Sequence, residues 1–236
     1  MTGHISPKGQ LYGLGLGPGD PELVTLKAVR LLRAAAVIVY PAPTGGASFA
    51  RSIATEWIAP GQREIAIDFP MRPGPPPAAI YDRAAATIAA ELDAGRDVAF
   101  LCQGDPFFYG TFAAIFTRLA PRYRVTVVPG VSSLTACAAA AETPLVQRDE
   151  TVTVIPATLP EDELTRRLAA AETAAIIKLG RHVAKVCRVL AALGRLDGAV
   201  YVERATQPSQ RVIRLAEVDP DTVPYFAMAL VRPKSE

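Results

Sequence analysis

The feature that most constrains this chain is a recurring join. A short apolar run ends in glycine or proline, and a stretch with helical spacing follows. "LYGLGLG", residues 11 to 17, has the content of a buried strand breaking into a glycine turn, and "DPELVTLKAVRLLRAA" follows it. Asp20 is placed to cap that helix, with Pro21 and Glu22 in its first turn. Leu23, Leu26, Val29 and Leu31 or Leu32 supply its apolar stripe. "AVIVY" is a second strand, ended by Pro41 and Pro43. "SFARSIATEWI" reads as a helix and "REIAID" as a strand. "FPMRPGPPP", residues 69 to 77, is a loop, because prolines remove donors and fix the backbone. A long helix, "AAIYDRAAATIAAELDAG", comes next. "DVAFLCQGDPFFYG" runs from strand to glycine turn, "TFAAIFTRLA" is a helix, and "RVTVVPGVSS" is a strand ending at Pro129 and Gly130. Strands alternating with helices imply a parallel α/β layer.

After that point the rhythm changes. "TVTVIPA", "AAIIKLG", "GAVYVERAT", "QRVIRLAEV" and "YFAMALV" are five strand candidates. The third and fourth are close enough for a hairpin, which a purely parallel sheet does not use. The expected architecture is α/β in two domains. Residues 1–130 form a parallel α/β sheet domain and residues 131–236 a mixed α/β sheet domain, with "PGVSSLTACAAAAETP" crossing between them.

Composition narrows the function classes. Half of the 236 residues are hydrophobic, enough for two cores. Lys plus Arg is 25 against 23 for Asp plus Glu. That balance argues against a nucleic-acid footprint, which needs a basic excess on one face. Cys102, Cys137 and Cys187 form no CxxC pair and read as buried reduced thiols, and the only histidines are His4 and His182. No metal site is expected. The N-terminal stretch lacks the apolar core of a secretory signal, and no apolar run reaches the length of a membrane span. The expectation is a cytoplasmic protein with no membrane partner.

The opening glycines fit neither common phosphate loop. From Gly13 the sixth position is Pro18 and from Gly15 it is Asp20, so the dinucleotide spacing fails; the Lys-Ser/Thr of a P-loop is also missing. Asp20 would moreover repel a phosphate. A ligand without phosphate, cationic in part, fits better. Two more turns lie at carboxyl ends of expected strands: "QGDPFFYG" and "PGVSS". Ligands of open α/β sheets bind outside those ends. Gly104 permits close approach, Asp105 offers a carboxylate, and Ser132 and Ser133 offer hydroxyls. S-adenosylmethionine would use such groups. Taken singly, each of the three reads better as an ordinary turn signal; three of them on one kind of edge favour a ligand.

"GLGPGDPELVTLKAVRLLRAAAVIVY", "GDPFFYGTF", "VPGVSSLTACAAAAETPL", "IIKLGR" and "VERATQPSQRV" together resemble, in matching order, the tetrapyrrole (corrin/porphyrin) methylase family. The resemblance runs from about residue 10 to 231. It implies a two-domain fold with S-adenosylmethionine in the cleft between the domains, a tetrapyrrole substrate, and a homodimer. It also implies that Pro18, Gln103, Gly104, Asp105, Phe108, Ser132, Ser133, Leu179, Ala205 and Thr206 border the cofactor. Gln103 and Ala205 replace glycines common in the family, and both still offer backbone contacts. Uroporphyrinogen-type members carry an acidic residue where Pro41 stands here. That departure points instead to the branch that methylates carbon 20 of a corrin precursor. Arg72, Arg148, Lys178 and Arg181 either hold the carboxylates of a tetrapyrrole or are solvated surface charges. Phe107, Phe108 and Tyr109 either stack on a macrocycle or begin a helix. No residue is singled out as the catalytic group.

Overall fold

The computed structural model describes residues 8–69 and 77–233. Arg72, His4 and most of the proline-rich loop lie outside the described residues. The chain divides into two compact units, one running to Ser132 and the other beginning at Ser133.

The first unit contains β1 (Leu11–Gly15), α1 (Leu26–Ala34), β2 (Val37–Pro43), α2 (Phe49–Ile53), β3 (Arg63–Phe69), α3 (Ala78–Asp93), β4 (Val98–Cys102), α4 (Phe112–Leu119) and β5 (Val125–Val128). Its sheet is wholly parallel, in the order β3-β2-β4-β1-β5. Parallel sheets need cover on both faces, and their inner strands are apolar throughout. β4, "VAFLC", is buried at all five positions. Phe100 and Cys102 pack with α3 and α4, while Ala99 and Leu101 pack with α1 and α2.

Two local expectations need correction. The helix after β1 does not begin at Asp20. Asp20 caps only a single 3₁₀ turn, Pro21–Leu23, its Oδ1 accepting from the Glu22 amide at 2.8 Å. Val24 is then extended and buried, and Thr25 caps α1 afresh through the Ala28 amide at 3.2 Å. Burying β-branched Val24 breaks the run, so the stripe shifts: Val24, Ala28 and Leu32 face the core, and Leu26 is 89% exposed. Nor do Pro41 and Pro43 end β2. The strand continues through both, paired with β3 as far as Pro43↔Phe69, whereas its pairing with β4 stops at Val39↔Phe100. Beyond Val39 one side of β2 has no ladder to lose, and proline is tolerated there.

The second unit contains α5 (Ser133–Ala140), β6 (Val152–Pro156), α6 (Glu161–Ala170), β7 (Thr173–Ile177), α7 (Val183–Ala192), β8 (Ala199–Glu203), β9 (Arg211–Arg214) and β10 (Ala227–Val231). All five strand candidates form one mixed sheet, ordered β6-β7-β10-β8-β9. β8 and β9 make the expected antiparallel pair, and β10 inserts antiparallel between β7 and β8. Leu164, Leu168, Val183, Val186 and Leu190 of α6 and α7 close one face over Ile176 and Tyr201.

Candidate functional site

Because the first sheet is parallel, the loops after β1, β4 and β5 leave it side by side at one edge. Gly17 and Gly104 form a two-way backbone bridge there. The Gly104 amide donates to the Gly17 carbonyl at 2.7 Å, and the Gly17 amide to the Gly104 carbonyl at 3.3 Å. Gly15 and Gly130 lie too close to their neighbours for any side chain. A Cβ on Gly15 would lie 2.4 Å from the Gly130 nitrogen, and one on Gly130 would lie 2.2 Å from the Gly104 carbonyl oxygen. Gly104 is different. Its φ is +66°, and a Cβ there would meet nothing within 4 Å. Two of these glycines let three backbones touch, and the third presents bare backbone to open space.

Asp105 fastens this edge. Its Oδ2 accepts from the Gly130 amide at 3.1 Å and its Oδ1 from the Phe107 amide at 2.9 Å. The sequence suggested a carboxylate for a ligand; the carboxylate also ties the second loop to the third. Pro18 is buried beside the Gly17 bridge, and Gln103, Gly104 and Phe108 are half-buried. Phe107 is half-exposed with its ring edge-on to Phe116 at 5.1 Å, so it both packs on α4 and presents a face. Tyr109 follows in the left-handed region, φ 56°, with its ring exposed. Non-glycine residues adopt that conformation at a cost and concentrate at functional sites. Cys102, beneath this edge, has its thiol pushed well up by burial and by the Asp105 charge.

In the second sheet β7 and β8 run in the same direction on either side of β10, so the loops that follow them share an edge. Lys178 (φ 56°), Arg204 (φ 48°) and Thr206 (φ 68°) all stand in the left-handed region there. Leu179 and Ala205 have buried side chains, so what they offer a ligand is backbone. The Arg204 amide donates to the Phe226 carbonyl at 2.8 Å, anchoring this loop to the start of β10. Arg181 is exposed at the turn into α7. Beside it, His182 is held below its ordinary range by burial and by the charges of Lys185 and Arg181. Lys178, Arg181 and Arg204 thus bring three cationic residues to the loops of this edge.

Arg148 does not join Lys178 and Arg181 within the second unit. It sits in the turn before β6, where Glu150 accepts from the Gln147 amide at 2.9 Å and pairs with Arg232 at 3.1 Å. Arg232 follows the end of β10, so that turn is at the opposite edge of the second sheet. Ser133 opens α5 and is exposed. Among the described residues no group of His, Cys, Asp and Glu could hold a metal, and no helix is long and apolar enough to cross a membrane. Sequence reasoning missed Gly130 as a contact residue and the left-handed Arg204. The "PG" and "RAT" signals were visible, but only the fold shows which backbones touch.

Comparison with known proteins gives a consistent picture. Cobalamin biosynthesis protein CobIJ of Mycobacterium tuberculosis (strain ATCC 25618 / H37Rv) is 46% identical over 96% of this chain, which spans only 46% of that protein. The chain thus covers about half the length of that relative. Precorrin-2 C(20)-methyltransferase of Sinorhizobium sp is 43% identical, covering 94% of this chain and 95% of its own. Cobalt-precorrin-2 C(20)-methyltransferase of Salmonella typhimurium LT2 is 33% identical, covering 97% and 98%. Among solved structures, the cobalt precorrin-4 methyltransferase CbiF aligns with a TM-score of 0.74 at 26% identity, covering 94% of both chains. Uroporphyrin-III C-methyl transferase of Thermus thermophilus, complexed with S-adenosyl homocysteine, aligns with a TM-score of 0.70 at 26% identity, covering 95% and 97%. The model of the Tetrapyrrole (Corrin/Porphyrin) Methylases matches residues 10–219. Two sheets of this topology, glycine-tight strand ends and that match have one reading: the chain belongs to the tetrapyrrole methylase family.

Proposed function

We propose that this protein transfers a methyl group from S-adenosylmethionine to carbon 20 of precorrin-2, giving precorrin-3A, S-adenosylhomocysteine and the proton released from carbon 20, in cobalamin biosynthesis. The observation that carries the reading is the edge built by Gly15, Gly17, Gly104 and Gly130, where bare backbone faces open space beside a fixed carboxylate. S-adenosylmethionine, when bound, supplies an electrophilic methyl on a sulfonium; the corrin carbon is an enamine-like nucleophile. The residues then have three tasks. Backbone around Pro18, Gln103 and Gly104 holds the cofactor, and Asp105, Phe108, Ser132, Ser133, Leu179, Ala205 and Thr206 are the further residues assigned to it. Lys178 and Arg181, with Arg72 of the proline loop, hold substrate carboxylates. Fixing the reactants in line and excluding water contributes on the order of 7–11 kcal/mol to such a step. The protein acts as a cytoplasmic homodimer, and light scattering at micromolar concentration giving twice the chain mass is the expected result.

The higher identity to the Sinorhizobium protein, 43% against 33% for the Salmonella one, favours the metal-free substrate over its cobalt-loaded counterpart. Assaying purified protein with precorrin-2 and with cobalt-factor II decides between them: turnover of the first alone is expected. Tight binding of S-adenosylhomocysteine with no turnover on either would make the protein a cofactor-binding sensor instead. Asp105→Asn keeps the shape of the side chain and removes its charge. It should weaken S-adenosylhomocysteine in titration calorimetry by about 1–2 kcal/mol, through loosening of the loop pair. Parental affinity would make Asp105 a turn residue only.

A further inference from the structure

Past Val39, β2 leaves β4 and continues with β3 alone, so the two strands form a ribbon at the carboxyl side of the first sheet. α2 packs against this ribbon. Between them lies a notch of about 270 Å³, lined by Ala42, Ala47, Ala66 and Gly46 together with Tyr40 and Arg51. Three hydroxyls also line it, and each has committed its single proton to a carbonyl. Ser48 donates to Pro41 at 2.6 Å, Ser52 to Phe49 at 2.8 Å and Thr55 to Ser52 at 3.0 Å. None of them has a proton for a ligand.

Arg51 does have donors to give. Its Nε and Nη2 donate to the Glu64 carboxylate at 2.7 and 2.9 Å. A guanidinium has five N–H groups, so these bonds leave others for a ligand. The side chain is 39% exposed, so solvent or a ligand reaches it. The Tyr40 phenol joins the pair, and Arg51 holds the Glu64 carboxyl below its ordinary range. The guanidinium is thus held by Glu64 and Tyr40 and is still partly exposed.

We infer that this notch receives one carboxylate-bearing arm, an acetate or a propionate, of the tetrapyrrole, and that Arg51 binds its carboxylate while Glu64 and Tyr40 position the guanidinium. This rests on the tetrapyrrole reading above. The methyl walls suit the methylenes of such an arm, whereas a bare inorganic anion would lose hydration against them without return. The volume is too small for the macrocycle itself. β2 is the neighbour of β4, whose loop carries Gly104, and adjacent strands are about 4.8 Å apart. The notch and the glycine loops therefore lie at the carboxyl side of the same sheet, on neighbouring strands.

The test uses the full chain and sirohydrochlorin, the oxidised and fluorescent form of precorrin-2, as the binding probe. Arg51→Met should weaken sirohydrochlorin at least tenfold, and Arg51→Lys should recover part of the loss. Ala47→Leu narrows the notch from an exposed loop without touching the ion pair, and should weaken it comparably. S-adenosylhomocysteine affinity should stay within about twofold for all three, which also reports that they fold. With precorrin-2, KM should rise and kcat should change little. Parental sirohydrochlorin affinity in both Arg51→Met and Ala47→Leu overturns the inference and leaves the proposed activity standing. A parent chain that binds S-adenosylhomocysteine but neither sirohydrochlorin nor precorrin-2 overturns the substrate reading and this inference with it. If Arg51→Met fails to fold, Ala47→Leu alone decides.

Discussion

At the carboxyl edge of the first sheet the tight positions are glycines; at the corresponding edge of the second they carry full side chains. Gly15, Gly104 and Gly130 bring three loops into backbone contact that any Cβ at Gly15 or Gly130 would prevent. Lys178, Arg204 and Thr206 instead hold left-handed backbone with their side chains retained. The first arrangement gives closeness, because removing side chains lets main chains meet. The second gives reach, because a strained turn aims a long polar group. Strain of that kind costs on the order of 1–2 kcal/mol per residue, and an unselected loop would shed it with glycine.

The largest expected effect breaks the first arrangement. Gly130→Ala places a Cβ 2.2 Å from the Gly104 carbonyl oxygen, and no rotamer relieves a clash with backbone. A loss of about 3 kcal/mol in urea unfolding is expected, together with loss of S-adenosylhomocysteine binding. Gly45→Ala is the control. Gly45 is also left-handed, at φ +70°, but nothing lies within 4 Å of its Cβ, so the cost should be only about 1 kcal/mol. Equal losses would mean that close approach does not matter at Gly130.

A smaller effect of opposite sign is expected in the second arrangement. Arg204→Gly should raise stability by up to about 1 kcal/mol, relieved strain exceeding the entropy glycine adds to the unfolded chain. Methyl transfer should fall at the same time. A variant both more stable and fully active would show that the strain at Arg204 serves no site.

The smallest effect separates the two units by pH. His182 titrates below its ordinary 6.5 in the folded state, so folding favours its neutral form. Its contribution is complete above that value and is lost as pH falls through the depressed one. Glu64 titrates below its ordinary 4.5 because Arg51 bonds its carboxylate. Its contribution is intact above 4.5 and fades only in stronger acid. Hydrogen exchange read by peptide should therefore show the second unit loosening first as pH drops from 7 to 5, and the first unit later. His182→Asn should flatten the earlier step and Glu64→Gln the later one. Simultaneous loosening in both variants would assign the acid response to other groups.

Much of the fold was legible because burial writes itself into sequence locally. β4 is apolar at every position because both faces are covered, and the β8–β9 pair was readable from two strand runs separated by a short polar stretch. The helix after β1 was misread because two caps, Asp20 and Thr25, lie five residues apart and propensity cannot choose between them. Burial of Val24 chose. At the site, residue types were legible and their tasks were not. Asp105 looked like a ligand group, and its two amide partners make it a fastener as well.

The sequence by itself determined the alternation of elements, the family and the loops at which chemistry is to be sought. Those follow from short-range patterns that a chain carries wherever it folds. Tertiary structure alone decided that Gly15, Gly104 and Gly130 meet, that Arg148 lies at the opposite edge of its sheet from Lys178, and that Arg51, Glu64 and Tyr40 join around one notch. Each is a matter of how separate segments of the chain are placed against one another. Such placement is set by strand order and register, and strand order comes from packing whole layers together.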